Sequence, residues 1–513
     1  MGLSSNLSPQ DALGKQAHWP CFVDFAAIAL FVIALRLPYF GNPAVNIDEQ
    51  FYLVVADKWF NHGLLPYVDI WDRKPVGIFL LYAPAVLFFK DAVLGYQIVS
   101  LLFVLATCVL VYRMASMFGP PHVAFTATLF YVAILMLWSG AGGQTPVYYN
   151  LIMGAGGLLI LRCVIGETRQ IAASFVAAAL LFGVALQVKY ICVFEIALLS
   201  LAGLAAMFAQ KKLTLAQIIA LAIVMMVCGL LPTGVAGAAY AAAGHWQDFF
   251  FSNFQSILAK KLWRFSVGMY LLTVLSALIY GAVFWPLAGV TVTSAVRERQ
   301  GVKVWVVTAL GLWLVGAVIG ALMLGNPILH YFLPTGIPLA VLSAIGLRHL
   351  ETGNGVFARL RTRFGEDGPM AAVLLLPVIA SFVICVQTTA RRGADQVYPM
   401  AAYIKENLAG GCPYIFSDFP IIYYLTDCKA PTPYTFPNHL AEAAETHALG
   451  VDAHEELTRV LATKPPVVMV RRPYPPEFDE GAIAIVEEAV SRYQLGRSFP
   501  SYHQQFDVYL RRD

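Results

Sequence analysis

The sequence predicts a polytopic α-helical membrane protein of about eleven spans, with a small α/β domain at its C-terminal end. Of the 513 residues, 59% are hydrophobic and the mean hydropathy is +0.67. Only 13% are charged, where soluble domains have about 25%. Apolar tracts of about 17–25 residues recur along the chain, the length that a helix needs to cross the hydrocarbon core. These tracts are continuously apolar rather than alternating, which argues against a membrane β-barrel.

Eleven apolar tracts are predicted to be transmembrane helices. The first follows Lys15, but no small-residue cleavage site precedes Pro38, so we predict an uncleaved span rather than a signal peptide. The spans are expected at about 21–40, 96–117, 121–138, 147–164, 171–188, 190–209, 214–234, 266–290, 302–323, 331–347 and 370–388.

Basic residues between the spans predict the orientation. With the N-terminus in the cytoplasm, every basic residue of one set of short connections falls on the cytoplasmic side, as the positive-inside rule requires. An odd number of spans then places the C-terminus outside. The set comprises Arg113, Arg162, Arg169, Lys211, Lys212, Arg297, Arg299, Lys303, Arg348, Arg359, Arg361 and Arg363.

Three segments are predicted to lie outside the membrane. The first, 41–95, contains an apolar stretch of about 14 residues, too short to span and expected to lie along the outer face. The second, 239–264, is aromatic and basic, typical of an interfacial helix. The third, 389–513, has short apolar runs such as PYIFS and PPVVMV that indicate strands between helical segments. We therefore expect a transmembrane domain over 1–388 and an α/β domain over 389–513.

Cysteine usage and net charge limit the classes of partner. Six of the eight cysteines lie in apolar tracts, and none has the spacing of a zinc site. Cys412 and Cys428 lie in the outer tail, where they could form a disulfide or remain two free thiols. The formal net charge of +3 is too small to indicate nucleic-acid binding.

Two adjacent acids, Asp48 and Glu49, follow the first span directly. One interpretation is structural, because Asn46 and Glu49 have the spacing of a capping box, and acids in a first helical turn complement the helix dipole. The other interpretation is chemical and depends on what else lies on the outer side.

Cations are predicted on the same side of the membrane. Lys74, Lys189 and His330 all fall near the outer face in the predicted topology. Together with a carboxylate they suit a reaction in which a base takes a proton from a hydroxyl while cations hold a departing phosphate. The alternative is that both lysines extend to lipid headgroups and that the histidine is an interface residue.

Three further polar residues are predicted to have structural roles. Arg36, near the outer end of the first span, is expected to be a headgroup anchor rather than part of a site. Asp69 and Asp72, in the polar loop, are expected to be turn or capping residues unless they contribute to the site.

Three stretches resemble a known family. DEQFYLVVADKWFNHGLLPYVDIWDRKP, after the first span, resembles the first external loop of membrane glycosyltransferases of the C-type fold. HYFLPTGIPLAVLSAIGL and YIFSDFPIIYYLTDCKAPTPYTFP resemble a later segment and the outer domain of one branch. That branch contains protein O-mannosyltransferases, the lipid A aminoarabinose transferase and the rhizobial galacturonosyltransferases. The stretches occur in the family's order and cover nearly the whole chain.

The resemblance implies an inverting glycosyltransferase of the bacterial inner membrane. It would transfer a sugar from a polyprenyl phosphate to a hydroxyl of a lipid, glycan or protein at the outer face. Asp48 matches the family's catalytic base, and the predicted catalytic residues are Asp48 and Glu49. The predicted donor phosphate-binding residues are Lys74 and Lys189, which match positions that hold the lipid phosphate, and His330 and Tyr331, which match the border of the donor pocket. Two departures are that Val76 stands where the motif has a second proline and that His330 stands where arginine is common.

Cofactors and competing functions complete the set of expectations. No metal is required to neutralise a phosphate on one lipid chain, although the acids leave a divalent ion open. A multi-span transporter or flippase, a lipopolysaccharide polymerase or ligase, and a non-catalytic sugar-lipid-binding protein are the alternatives. A transporter would have ionisable groups near the midplane and two related halves, whereas the predicted charges cluster at one face.

Overall fold

The structure is a computed structural model that describes residues 19–260, 267–298, 301–323, 328–501 and 503–512. The described helices are α1 (Phe22–Arg36), α2 (Ile47–His62), α3 (Gly77–Phe88), α4 (Ala92–Ala115), α5 (Pro121–Leu137), α6 (Thr145–Ile165), α7 (Ile171–Leu186), α8 (Val193–Ala209), α9 (Leu215–Ala242), α10 (Trp246–Phe250), α11 (Ser256–Ala259), α12 (Val267–Tyr280), α13 (Phe284–Glu298), α14 (Val302–Met323), α15 (Gly336–Glu351), α16 (Val356–Phe364), α17 (Asp367–Arg392), α18 (Ala394–Glu406), α19 (Ile422–Leu425), α20 (Asn438–Ala441), α21 (Ala453–Ala462) and α22 (Glu480–Val490). The described strands are β1 (Tyr414–Ile415), β2 (Val467–Arg472), β3 (Tyr493–Ser501) and β4 (Gln504–Arg511).

Long apolar helices form the bundle, which confirms the predicted polytopic α-helical class. By length and composition, 8 helices among the described residues could cross a membrane: α1, α4, α6, α8, α9, α14, α15 and α17 together with α18. The shorter apolar helices α5 and α7, of 17 and 16 residues, lie at two more of the predicted spans. The predicted count of about eleven is therefore approximate.

One predicted span is wrong as a single helix. The tract expected at 266–290, whose first residue lies outside the described part, is broken into α12 and α13, which meet at 78°. The break is a turn that begins at Gly281, and the indole N–H of Trp285 donates to the carbonyl of Ala277 across it at 3.3 Å. Composition detects the apolar tract but not a turn between apolar neighbours.

The first external segment folds as two helices. The Asn46 side chain caps α2 by accepting from the Asp48 amide at 3.0 Å, and Gly63 ends α2 in the left-handed conformation at φ +71°. The apolar stretch that follows forms α3, which has only 12 residues and packs against α2 and α4.

Two interruptions of the bundle helices carry polar residues. Lys189 is extended between α7 and the 3₁₀ turn Tyr190–Cys192. A second 3₁₀ segment, Leu329–Thr335, contains Pro334 and precedes α15. Both segments pack against α14, so these breaks lie at the same end of the bundle.

The C-terminal segment folds around a four-stranded sheet, as predicted for the tail. The strand order is β1-β2-β4-β3, with β1 and β2 parallel and the other pairs antiparallel. Cys412 and Cys428 are joined by a disulfide, so the structure favours that alternative over two free thiols.

The sheet and the bundle share one continuous apolar core. Buried side chains of α2, α15, α18 and β2 belong to the same cluster, including Val54, Ile337, Val397 and Val467. The aromatic segment predicted as an interfacial helix forms α10, a π-helical turn at Phe251–Gln255 and α11, and the rest of it from 261 on lies outside the described residues.

Candidate active site

Asp48 lies in the first turn of α2 but is not its cap. Asn46 caps the helix, as predicted, but the reciprocal bond of a capping box does not form, because Glu49 turns away into the core. The Asp48 carboxylate keeps 22% of its side chain exposed and lies 3.6 Å from Lys74 Nζ. The acid is therefore held in place by the helix while its oxygens remain available.

Lys74 is held between Asp48 and Tyr52. Because Tyr52 follows Asp48 by four residues, the two side chains share one face of α2. Lys74 Nζ donates to the Tyr52 hydroxyl at 3.1 Å and lies 5.2 Å from the centre of its ring. Burial disfavours the charged amine, but Asp48 and Tyr52 outweigh this and hold the pKa of Lys74 well above its usual value.

Lys189 reaches the same place from the α7–α8 break. A Cβ at Gly77 would overlap the carbonyl oxygen of Gln187, so only glycine lets the start of α3 approach this break. Lys189 is nearly buried, and its Nζ lies 4.5 Å from the centre of the Tyr331 ring. Burial, followed by the charge of Lys74, lowers the pKa of Lys189 to about 7.

His330 and Tyr331 come from the second break. His330 is buried, its ring meets that of Tyr331 edge-on at 4.7 Å, and its Nε2 has no hydrogen-bond partner among the described residues. Burial raises the pKa of Asp48, but the charges of Lys74, His330 and Lys189 overcome that and bring it below its usual value. The structure therefore brings together five of the six residues singled out in the sequence, with four of them around the Asp48 carboxylate.

Glu49 is the residue that the structure does not bring to this group. Its carboxylate is fully buried and lies against Gly142 and Gly143, where a Cβ at Gly142 would overlap it. Neither oxygen has a hydrogen-bond partner of good geometry within the described chain. Burial raises the pKa of Glu49 to about 7, although the Gly143 amide and the positive charge of Arg36 oppose the shift.

The expectation that Arg36 is a headgroup anchor is wrong. Its side chain is fully buried and donates to the carbonyls of Gly140 and Gly142 at 2.8 and 3.0 Å and to Ser100 Oγ at 2.7 Å. Arg36 thereby fixes the loop that covers Glu49. Its position after an apolar run resembles that of an interfacial arginine, and only the fold reveals these partners.

The polar loop between α2 and α3 binds the C-terminal segment. Arg73 donates to both carboxylate oxygens of Glu445, and the distance from its Nη1 to Oε1 is 2.9 Å. Lys260 Nζ lies 2.6 Å from the same Oε1. The two cations hold the pKa of Glu445 below its usual value even though burial raises it. The centre of the Trp71 ring lies 5.4 Å from that of Tyr434, in a tilted arrangement, and 4.7 Å from that of His439, edge-on. Sequence reasoning missed Glu445 because its partner lies far away in the chain.

Asp69 and Asp72 differ in their surroundings. Asp69 accepts from the Leu65 amide at 2.9 Å, as expected of a turn residue. Asp72 is buried, with Oδ1 on the Arg73 amide at 2.7 Å and Oδ2 without a partner in the described residues. Burial raises the pKa of Asp72, with Lys74 opposing the shift. Within the described ranges, no three histidine, cysteine or carboxylate side chains are grouped as a metal site.

An apolar cleft of about 360 Å³ lies beside the start of α3, and its lining includes Val76 and Gln187, each two residues from one of the two lysines. Val76 and Gly77 of the α3 end and Gln187 of the α7–α8 break line it near the site, and its remaining lining is almost wholly apolar. That remainder consists of Trp59, Leu65, Leu80, Pro232, Val235, Ala236, Ala239, Tyr240 and Ala243.

The fold is the C-type glycosyltransferase fold. ArnT from Cupriavidus metallidurans bound to undecaprenyl phosphate has a TM-score of 0.64 and 14% identity, over 95% of this chain and 97% of that chain. The apo state of the same protein has a TM-score of 0.61 and 15% identity over the same shares. The archaeal oligosaccharyltransferase AglB from Archaeoglobus fulgidus, in complex with an inhibitory peptide and a dolichol-phosphate, has a TM-score of 0.54 and 11% identity over 87% of this chain and 69% of that chain. No protein-family model and no curated protein matches the sequence. The likeness confirms the fold that the sequence resemblance implies.

Proposed function

We propose that the protein is an inverting glycosyltransferase that moves a sugar from a polyprenyl phosphate to an acceptor hydroxyl. One observation carries the proposal: a partly exposed carboxylate, Asp48, lies 3.6 Å from Lys74 and within the influence of the charge of Lys189, and an apolar cleft begins two residues from each of these lysines, at Val76 and Gln187. This arrangement offers a proton acceptor, a place for a phosphate and a groove for a lipid chain. Similar folds bind undecaprenyl phosphate and dolichol-phosphate in the structures of ArnT and AglB, which supports a donor of this class.

Asp48 is proposed as the catalytic base. Its low pKa keeps it ionised at neutral pH, and it takes the acceptor's proton as the oxygen bonds to the anomeric carbon. The bond between that carbon and the phosphate oxygen breaks, and its electron pair leaves with the phosphate from the opposite face. The configuration at the anomeric carbon is therefore inverted.

Lys74 and Lys189 are proposed to hold the leaving phosphate. Charge-assisted contacts to an ammonium strengthen as negative charge develops, and a dry site strengthens them further. A bound phosphate would compete with Asp48 for Lys74, which frees the carboxylate to accept a proton. His330 and Tyr331 border the donor, and Glu49 acts through the packing that orients Asp48.

The apolar cleft is proposed to hold the first part of the polyprenyl chain. It lies beside α3, the short apolar helix, and its lining carries no charged side chain. No step requires a metal, and a divalent ion near Asp48 and Asp72 would be an addition to this mechanism.

The location and organisation follow from the same proposal. Residues 1–388 form the transmembrane catalytic unit with the loop 41–95 at its outer end, and 389–513 form a periplasmic domain. The N-terminus is then cytoplasmic and the membrane is the bacterial inner membrane. The acceptor is a lipid, a glycan or a protein that reaches the site from the periplasm.

The experiment is release of free polyprenyl phosphate by purified protein in nanodiscs, followed by mass spectrometry over a panel of polyprenyl-phosphate sugars. Asp48→Asn is expected to reduce release by about 10²–10⁴-fold, while Asn46 still caps α2. Asp69→Asn is the matched control in the same loop, since asparagine can still accept from the Leu65 amide. Equal release by wild type and Asp48→Asn would refute the base. Transport of the sugar lipid without release would favour a flippase.

A further inference from the structure

A second cleft, of about 500 Å³, lies where α17 meets the four-stranded sheet. Ile384, Gln387, Thr388 and Arg391 line its α17 wall. Their spacing places them on one face of the helix. Along that face the side chains change from aliphatic to hydrogen-bonding to cationic.

The opposite wall adds positive charge. Arg392, at the end of α17, and Arg471, on β2, both line the cleft, and each pairs with Asp418, at 3.6 and 3.3 Å. His503 and Gln504 complete this wall. Among the described residues that line the cleft or pair with its lining, the charges are those of three arginines and of the buried Asp418, so these groups together carry a net positive charge.

Arg471 has donor capacity left in this cleft. Its amide donates to Ser417 Oγ at 2.9 Å, which fixes the backbone at the end of β2. Its guanidinium uses Nη1 on Asp418, while Nε is buried and has no hydrogen-bond partner among the described residues. A buried unsatisfied donor is costly, so this guanidinium is incompletely paired among the described residues.

The neighbouring faces of α17 indicate where the anion would come from. Phe382, Val383 and Val386 are 65%, 47% and 53% exposed. In a membrane-spanning helix such side chains contact lipid tails, and the arginines follow within two to three turns. The cleft therefore opens where an acyl chain gives way to a headgroup.

We propose that this cleft binds the headgroup of an anionic phospholipid of the outer leaflet. Arg391 and Arg471 hold the phosphodiester, Gln387 and Thr388 bind its hydroxyl or ester oxygens, and one acyl chain follows α17 past Ile384. The lipid would join α17 to the sheet and to Val45, which also lines the cleft. This proposal does not depend on the proposed transferase activity, and it takes the outer side of the membrane from the orientation given under Proposed function.

The test uses the full chain in nanodiscs of phosphatidylcholine that contain phosphatidylglycerol. After mild extraction, native mass spectrometry counts the retained lipids. Wild type is expected to retain one phosphatidylglycerol in preference to phosphatidylcholine. Arg391→Gln with Arg471→Gln is expected to reduce this retention by about 10-fold or more, because two charge-assisted contacts are lost. The matched control is Arg497→Gln, an arginine of β3 that stacks on Phe499 and does not line the cleft.

A second variant tests the proposal even if the arginine double variant misfolds. Gln387→Leu removes hydrogen-bonding capacity without changing the charge, and it is expected to weaken retention to a smaller extent. Equal retention of phosphatidylcholine, unchanged retention in the arginine double variant, or displacement of the lipid by inorganic phosphate alone would overturn the proposal.

Discussion

Two adjacent acids in one helical turn have opposite environments. Neighbouring residues of a helix point about 100° apart, so Asp48 faces the lysines while Glu49 faces the dry loop held by Arg36. The pKa of Asp48 lies below its usual value and that of Glu49 is raised to about 7. A carboxylate with a lowered pKa and a carboxyl with a raised pKa can therefore lie side by side in one helical turn.

Donor binding is expected to weaken as the pH rises above about 7. Burial lowers the pKa of Lys189 to about 7, so the free protein loses this charge as the pH passes through that value. A bound phosphate favours the charged amine, so binding takes up a proton and affinity falls by up to about 10-fold per pH unit. The dissociation constant of a polyprenyl phosphate, measured between pH 6 and pH 9 in roughly one-unit steps, tests this prediction.

The control for this prediction is Lys189→Arg. Arginine stays charged over this range, so the variant should show a flat affinity profile. A wild-type profile that is also flat, or that rises with pH, would contradict the assignment of the titration to Lys189.

Glu49→Gln is expected to stabilise the protein at high pH. Burial raises the folded-state pKa of Glu49 to about 7 from its ordinary value of 4.5. The folded protein binds this proton more tightly than the unfolded chain does. The free energy of unfolding therefore falls as the pH rises from 4.5 to about 7, by up to about 3 kcal/mol. Thermal unfolding should give the variant a higher melting temperature than wild type at high pH. Near pH 4.5, the ordinary pKa of the group, the two melting temperatures should be equal. Its transfer rate should fall far less than that of Asp48→Asn, and an equal fall would make Glu49 a direct participant.

At the scale of elements, the site depends on how closely α3 approaches the α7–α8 break. Gly77→Ala would force the Gln187 carbonyl away and move Lys189 relative to Lys74. We expect the KM for the donor to rise by about 10-fold, since misplacement by 1 Å can cost up to about 10² in rate. Steady-state kinetics check it. Gly311→Ala, within α14 and with open space around it, is the control and should leave the KM unchanged.

The loop before α3 also depends on the tail. Glu445→Gln would leave Arg73 and Lys260 without their shared carboxylate, and breaking a buried pair costs about 3–5 kcal/mol. The melting temperature and the transfer rate should both fall. Glu456→Gln, whose partner Arg459 lies on the same helix, is the control and should have a small effect. A double-mutant cycle with Arg73→Gln gives the coupling energy, and additivity would show that the pair does not couple.

The sequence patterns predicted the helices better than they predicted the contacts between side chains. Continuous apolar tracts identify α1, α4 and α14 because the hydrocarbon core sets both their length and their composition. The turn at Gly281 is invisible to the same reasoning, since both arms are apolar. The surroundings of Asp48 were predictable because chain breaks at one membrane face bring polar residues together. The burial of Arg36 was not, because its partners are backbone carbonyls of a distant loop.

At the scale of the whole molecule, the disulfide stabilises the contact between tail and bundle. It closes a loop between Cys412 and Cys428, separated by 16 residues, which contains Asp427, 3.4 Å from Lys58 of α2. Cys412→Ser with Cys428→Ser is expected to destabilise the protein by about 3 kcal/mol. Thermal unfolding of the variant, with and without reductant, measures it. Reductant should lower the melting temperature of wild type and leave the variant unchanged, and sensitivity in both would point to another cause.

The ion pair of Arg73 with Glu445 has a consequence for biosynthesis. Its two members are 372 residues apart. At an elongation rate of about 5–20 residues per second, the ribosome needs roughly 20–75 s to proceed from one to the other. The bundle around Asp48 can assemble during that interval, but Arg73, in the loop that carries Lys74, lacks its Glu445 partner until the tail has been exported. A nascent chain in the membrane would thus lack the ion pair that joins this loop to the tail, and the proposed site would gain this support only after the last quarter of synthesis.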